Sequence, residues 1–171
     1  MGEALMAEEA TVTDINLEIR AEEDAVPFMD LLLQADPSPA MVMDYLADGT
    51  LFSATWDGVV VGVFVLMHLG DVKWELKNIS VAPEWQGKGV GKALLRAAIE
   101  EARKEGAKLL DVGTGNSSID QLAFYQKMGF RMRRIAKNYY TLNYPEPIFE
   151  NGIQCRDMVV LTFDLDETDD Y

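Results

Sequence analysis

The chain has 171 residues, of which 49% are hydrophobic, a single cysteine and a formal net charge of −14. That length predicts one domain with an ordinary core, and the lone Cys155 excludes an internal disulfide, as suits a reducing cytoplasm. The acidic balance excludes bulk attraction to nucleic acid or an anionic membrane, since both need a basic surface to release counterions.

The charge is unevenly placed. Glu3, Glu8, Glu9, Asp14, Glu18, Glu22, Glu23 and Asp24 face only Arg20 in residues 1–24, and Asp164, Asp166, Glu167, Asp169 and Asp170 crowd the last eight. The stretch between holds 16 acids against 14 bases, so it is nearly neutral and the ends read as solvated tails. No apolar run reaches the roughly 18 residues of a membrane span, and neither a signal peptide nor a myristoylation pattern opens the chain. A soluble cytoplasmic protein is expected. With His68 as the one histidine, Cys155 reads as a packed thiol rather than a nucleophile.

Residues 1–14 are expected to be a mobile acidic leader, residues 15–165 a single domain and residues 166–171 an acidic tail. Ile15–Arg20 alternates apolar and polar residues as a strand does. Acids at 22–24 then precede a helix over Val26–Gln34 with Pro27 in its first turn, and Asp36-Pro37-Ser38-Pro39 breaks the chain before a second helix over Ala40–Ala47. Leu51–Trp56, Asp57-Gly58 and Val59–Leu69 spell a hairpin, followed by an extended run over Val72–Val81. A helix over 90–104 buries Leu94, Leu95, Ala98, Ile99 and Ala102 and stops at Gly106. A short buried strand at Lys108–Val112, a helix over Asp120–Met128, and strands at Phe130–Ala136 and Gln154–Phe163 complete the chain, the last two joined by a long loop. Strands interleaved with helices make this an α/β protein.

The chemistry is concentrated in Val81-Ala82-Pro83-Glu84-Trp85-Gln86-Gly87-Lys88-Gly89-Val90-Gly91-Lys92. A strand ends in proline, and a glycine-alternating loop opens directly into a helix. Glycines allow close backbone approach, unsatisfied N–H groups at a helix start attract anions, and Lys88 and Lys92 add positive charge. This combination suits a pyrophosphate. It is not a Walker A loop, because Gln86 stands at the first glycine and Ala93 at the hydroxyl position that would hold Mg²⁺. Nor is it the dinucleotide fingerprint, whose G-x-G-x-x-G spacing differs and which belongs at the first strand.

Gln86-Gly87-Lys88-Gly89-Val90-Gly91, preceded by Val81-Ala82-Pro83, resembles the Q/R-x-x-G-x-G/A coenzyme A motif of the GNAT acetyltransferases. Downstream, Asn116 follows a strand, and Ala123-Phe124-Tyr125-Gln126-Lys127-Met128-Gly129-Phe130 is similar to that family's helix with a tyrosine and a terminal G-F. The resemblance covers residues 72–135. It implies the GNAT fold, a mixed, mostly antiparallel sheet of six to seven strands with helices on both faces. It also implies an N-acetyltransferase that uses acetyl-CoA as cosubstrate and no metal.

The resemblance further implies that backbone groups of Ile79, Ser80 and Val81 pair with the pantetheine arm like an added strand. The N–H groups of Gly87, Lys88, Gly89, Val90, Gly91 and Lys92 would hold the pyrophosphate beside Gln86, and Asn116 would hydrogen-bond the pantetheine arm. A turn role is the alternative for Asn116. An amine attacks the thioester, and Tyr125 would protonate the leaving thiolate, a phenol of pKa about 10 facing a thiol of about 8.5. A packing role is the alternative for Tyr125. A backbone N–H near Val81 would stabilise the oxyanion. Glu75 or Asp111 would take the amine's proton, directly or through water; each is otherwise a solvated or paired carboxylate.

Arg133-Arg134-Ile135-Ala136-Lys137-Asn138-Tyr139-Tyr140 and Arg156-Asp157-Met158 are similar to the ribosomal-protein N-terminal acetyltransferases, from which the chain departs by longer Asn116–Tyr125 and Tyr140–Gln154 segments. The acceptor therefore stays open between a small amine and a protein or peptide amine. The expected partners are acetyl-CoA and that amine, without nucleic acid or membrane, in a chain compatible with a homodimer. A non-catalytic acetyl-CoA sensor or interaction module, and an enzyme using a longer acyl chain, are the competing readings.

Overall fold

The computed structural model describes residues 15–167. The expected leader at 1–14 lies outside the described residues, as do residues 168–171 of the expected tail. Among the described residues the chain forms two compact units, residues 15–65 with 78–100, and residues 66–77 with 101–167.

In the first unit, β1 (Glu18–Glu22) pairs antiparallel with β2 (Thr50–Trp56), Glu18 opposite Thr55 and Glu22 opposite Leu51. The strand expected at Ile15–Arg20 therefore starts three residues later, because pairing with β2 sets its ends. Val26–Phe28 is a 3-10 turn rather than the start of an α-helix, and α1 spans Met29–Ala35. The α2 helix (Pro39–Asp48) is capped by Ser38, whose hydroxyl accepts from the Met41 N–H at 3.3 Å. Asp57-Gly58 turns the chain into β3 (Val59–Gly70), and β4 (Lys73–Val81) leads to α3 (Val90–Lys104).

Apolar side chains from the helices and from β2 and β3 fill the unit. Leu32 and Val42 come from the helices, Val61, Val63 and Phe64 from β3, and Leu94 and Leu95 from α3. Phe52 and Phe64 stack with ring centroids 4.9 Å apart. A polar tie runs through this core: the buried Asn78 of β4 donates from Nδ2 to the Leu32 carbonyl at 3.0 Å and to the Tyr45 hydroxyl at 2.9 Å. Its Oδ1 has no partner among the described residues.

In the second unit, β5 (Leu109–Gly115) runs parallel to β4, from Lys73 opposite Leu109 to Leu76 opposite Val112. After α4 (Ile119–Lys127) come β6 (Arg131–Ala136), α5 (Tyr139–Asn143), β7 (Ile148–Glu150), β8 (Ile153–Cys155) and β9 (Met158–Asp164). β9 lies between β5 and β6, antiparallel to both. Among the described residues the sheet has seven strands in the order β1-β2-β3-β4-β5-β9-β6, a mixed and mostly antiparallel α/β arrangement.

Two expectations are corrected here. Gln154–Phe163 is not one strand but two, broken at Arg156-Asp157. The long loop before it holds α5 and one strand of a two-stranded β7–β8 hairpin. That hairpin closes on Asn151-Gly152, both with positive φ (55° and 72°), the Asn-Gly turn that joins β-strands tightly.

Close packing of α3 on β3 generates a prediction. A Cβ at Gly62 would stand 2.8 Å from Leu94 Cδ2 and 2.8 Å from the Ser80 carbonyl oxygen, and the second is backbone that cannot rotate away. The clash, about 1–3 kcal/mol for an overpacked site, outweighs the roughly 0.5–1 kcal/mol that alanine gains over glycine through the unfolded chain. Gly62→Ala is expected to lower the urea midpoint with an unchanged m value.

Candidate active site

The first unit holds the loop between β4 and α3. Gly87 and Gly89 both adopt positive φ (72° and 83°), and a Cβ at Gly87 would meet nothing within 4 Å, so the outer side of the loop is open. The Ala93 N–H donates to the Gly89 carbonyl at 3.3 Å, which makes Gly89 the residue that opens α3. The N–H groups of Val90, Gly91 and Lys92 therefore precede the first intrahelical bond and sit at the positive end of the helix dipole. Lys88 Nζ lies 5.3 Å from the ring centre of Trp85, itself 5.5 Å from that of Trp56. Such cation–ring contact fixes a lysine beside the loop.

The strand end beside this loop is held firmly. Ala82 donates to the Val61 carbonyl at 2.8 Å. The Val81 carbonyl accepts two side-chain amides, from Gln34 Nε2 at 2.8 Å and Gln86 Nε2 at 3.1 Å, and Gln34 Nε2 also donates to Ser80 Oγ at 3.0 Å. Ser80 is buried, while Ile79 and Val81 are half-buried. Gln34 is a site-edge residue that the sequence does not reveal. At the end of an apolar helix, it carries no local signal that it reaches a strand 46 residues on.

The second unit holds Glu75, Asp111, Asn116 and Tyr125. Glu75 and Asp111 are direct partners in the β4–β5 register, so their side chains share one face of the sheet. Asp111 is buried with both oxygens engaged: Oδ1 accepts from Thr162 Oγ1 at 2.7 Å and Oδ2 pairs with Lys73 Nζ at 3.1 Å. Glu75 is less enclosed, its side chain 18% exposed and its Oε1 3.5 Å from Lys77 Nζ.

Asn116 works chiefly on its own chain. Its Oδ1 accepts from the N–H groups of Arg156 (2.8 Å) and Asp157 (3.0 Å), and its Nδ2 donates to the Gln154 carbonyl at 3.1 Å. Its backbone N–H donates to the Asp157 carbonyl at 3.0 Å. These bonds satisfy the backbone exactly where β8 and β9 part company, at Arg156-Asp157, and leave one amide hydrogen of Asn116 uncommitted.

Tyr125 lies on α4, buried between Phe124 and Phe130, whose ring centroids are each 5.5 Å from its own. Its carbonyl accepts from the N–H groups of Met128 and Phe130, closing the helix at Gly129. Burial pushes the Tyr125 phenol well above its ordinary range. Burial also pushes the Cys155 thiol up, against the lowering effect of a hydrogen bond from Ser117 and with further raising by the Glu150 and Asp157 carboxylates. Cys155 is buried, as expected of a packed thiol.

Residues 13–130 match the acetyltransferase (GNAT) family, and the chain belongs to it. An uncharacterised N-acetyltransferase of Bacillus subtilis, YvbK, is 48% identical over 144 residues, covering 84% of this chain and 93% of that protein. A GNAT acetyltransferase from Elizabethkingia anophelis, solved with acetyl-CoA bound, is 44% identical with a TM-score of 0.84 over 88% of this chain and 99% of that one. The [ribosomal protein bS18]-alanine N-acetyltransferase of Escherichia coli is 38% identical over 65 residues, 38% of this chain and 44% of its own length. The chain is an N-acetyltransferase with the GNAT fold. Among the described residues no helix is long and apolar enough to cross a membrane.

The buried phenol has a thermodynamic consequence. An unfolded tyrosine ionises near pH 10, whereas Tyr125 keeps its proton in the fold. Above about pH 10 the unfolded chain loses a proton the folded chain retains, so folding stability falls as pH rises through that range. Tyr125→Phe is expected to show a shallower fall in unfolding free energy there than the parent, read from urea titrations at stepped pH. Equal slopes would mean that the phenol is not buried as described.

Proposed function

We propose that this N-acetyltransferase moves the acetyl group of acetyl-CoA to a primary amine by direct attack in a ternary complex. The observation that carries this is the start of α3, where the N–H groups of Val90, Gly91 and Lys92 precede the first intrahelical bond beside an open glycine loop and two lysines. The fit is to a diphosphate, and the relative solved with acetyl-CoA bound supports that choice. Gln86, Gly87, Lys88 and Gly89 complete the cradle, and backbone groups of Ile79, Ser80 and Val81 receive the pantetheine arm.

The amine attacks the thioester carbonyl, its electrons pass through an oxyanion, and the carbon–sulfur bond breaks to release a thiolate. The Val81 N–H donates to the oxyanion and Tyr125 donates to the departing sulfur. Of the two carboxylates, Glu75 is the proposed base. Its side chain is the more exposed and its cation the more distant, whereas Asp111 is tied on both oxygens and holds β4, β5 and β9 in place. Asn116 offers the pantetheine arm its one uncommitted amide hydrogen. The acceptor is a small amine or a peptide amine.

Acetyl-CoA is expected to raise the melting temperature, and Gly89→Asp to abolish the rise, because a carboxylate would stand against the diphosphate. Wild-type affinity in that variant would displace the cofactor from this loop. Turnover is read as free thiol release from acetyl-CoA with spermidine, kanamycin and an alanine-initiated hexapeptide as acceptors. Tyr125→Phe is expected to lower kcat by about 10²-fold with little change in acetyl-CoA affinity, since only the interaction with the leaving group is lost. An unchanged kcat would assign Tyr125 to packing alone.

A further inference from the structure

We infer that Gln34 is a positioning residue for acyl transfer: with Gln86 it saturates the Val81 carbonyl, so that the open edge of β4 offers the thioester a hydrogen-bond donor and no acceptor. The inference rests on the proposed seating of the thioester beside Val81.

Along a strand, successive residues point their N–H and C=O groups to alternate edges. The Ala82 N–H is directed to Val61 on β3. The N–H and C=O of Val81 therefore share the opposite edge, which is where an added strand, or a pantetheine arm, would lie. A bare carbonyl at that place would set its lone pairs near the oxygen that becomes negative during attack. Like partial charges at short range oppose the developing oxyanion as surely as an N–H favours it. A carbonyl oxygen has two lone pairs, and both are taken here, by amides at 2.8 Å and 3.1 Å.

Gln86 belongs to the loop that binds the diphosphate, but Gln34 comes from α1, 47 residues before Val81 in sequence. Gln34 is exposed, so burial of its side chain is not what brings it to the strand end. Its Nε2 splits between Ser80 Oγ and the Val81 carbonyl, an arrangement that fixes two consecutive residues of β4. Two positions earlier on α1, the Leu32 carbonyl accepts from the buried Asn78. The helix is thus laced to residues 78, 80 and 81 of the strand by side-chain amides, and its C-terminal turn is held where Gln34 can reach.

The test uses acetyl-CoA labelled with ¹³C at the thioester carbonyl, bound to the full chain and to two variants that cannot donate, Gln34→Glu and Gln34→Met. Both preserve the length of the side chain. Isotope-edited infrared difference spectra read the polarisation of the bound carbonyl, which needs no acceptor amine. In the parent protein the thioester band is expected to shift to lower wavenumber on binding, and in both variants to return most of the way to its solution position. Acetyl-CoA affinity should stay within about threefold, because the diphosphate anchors are untouched. A band in either variant that stays where the parent's lies would overturn the inference. So would a parent that binds acetyl-CoA without a shift, or variants whose affinity collapses together with their melting temperature, which would make Gln34 a purely structural bridge. A parent that does not bind acetyl-CoA at all fails at the earlier step, the cofactor assignment, and takes this inference with it.

Discussion

The peptide joining Val81 to Ala82 is held from both edges of β4, and the arrangement of the first unit follows from that. Its N–H is spent on β3 through Val61, and its carbonyl is spent on Gln34 and Gln86. A strand end so pinned cannot fray, which matters because the next residues must leave the sheet, turn through Pro83–Trp85 and present α3 at a fixed distance. Fraying by even one residue would move the helix start by about 3.3 Å, more than the reach of a hydrogen bond. The close seating of Leu94 against Gly62 fixes the same helix from its inner side. One rigid corner, built from a side chain on α1, a glycine on β3 and a loop glutamine, holds the open N–H groups of α3 in the fixed arrangement that the proposed diphosphate site requires.

The loop was legible in the sequence because everything that makes it is local. Glycines at alternate positions, a proline ending the strand and an amphipathic run after it lie within a dozen or so residues, and each has a direct geometric meaning. The hairpin at Asp57-Gly58 was legible for the same reason. Asn151-Gly152 gives the same kind of signal, but the flanking runs are only three residues each, Ile148–Glu150 and Ile153–Cys155, too short to establish alternation. In sequence it therefore reads as part of a loop. The β8–β9 break was invisible for a different reason. Gln154–Phe163 alternates well enough to be one strand, and what divides it is Asn116, whose partners lie 38 to 41 residues away. Side-chain amides that satisfy distant backbone groups leave no periodic trace.

Asn116 and Gln34 show how the candidate site divides between what sequence shows and what only structure shows. In sequence, Asn116 follows a strand, where it resembles a cofactor contact. The folded chain engages nearly all of its hydrogen-bonding capacity in its own backbone, so any contact with the pantetheine arm draws on a single remaining hydrogen. Gln34 has no motif around it in sequence, yet it reaches the strand end on which the thioester would be laid. Both are amides acting on main-chain groups, and this is where amides are most useful: they donate and accept strongly without carrying a charge that must be neutralised when water leaves. Charged residues are used differently. The Lys73–Asp111 and Lys77–Glu75 pairs lie side by side on one face of β4 and β5, so that each carboxylate has a cation close to hand.

Tyr125 poses the sharpest question of matching, because burial raises the proton affinity of its phenol and so makes it a weaker acid than free tyrosine. Set against a thiolate in water, with a pKa near 8.5, such a phenol would surrender its proton only uphill. The comparison changes once the sulfur is also out of water. Desolvation disfavours the charged form of a thiol just as it does that of a phenol, so a thiolate expelled into a dry site is a stronger base than one in solution. Full transfer is also unnecessary: a hydrogen bond from the neutral phenol stabilises charge on sulfur as it develops, which is all that lowering the barrier requires. Retention of the proton is then useful in itself. An ionised Tyr125 would repel a departing thiolate, and burial among Phe124 and Phe130 favours the neutral form that the proposed donor role requires.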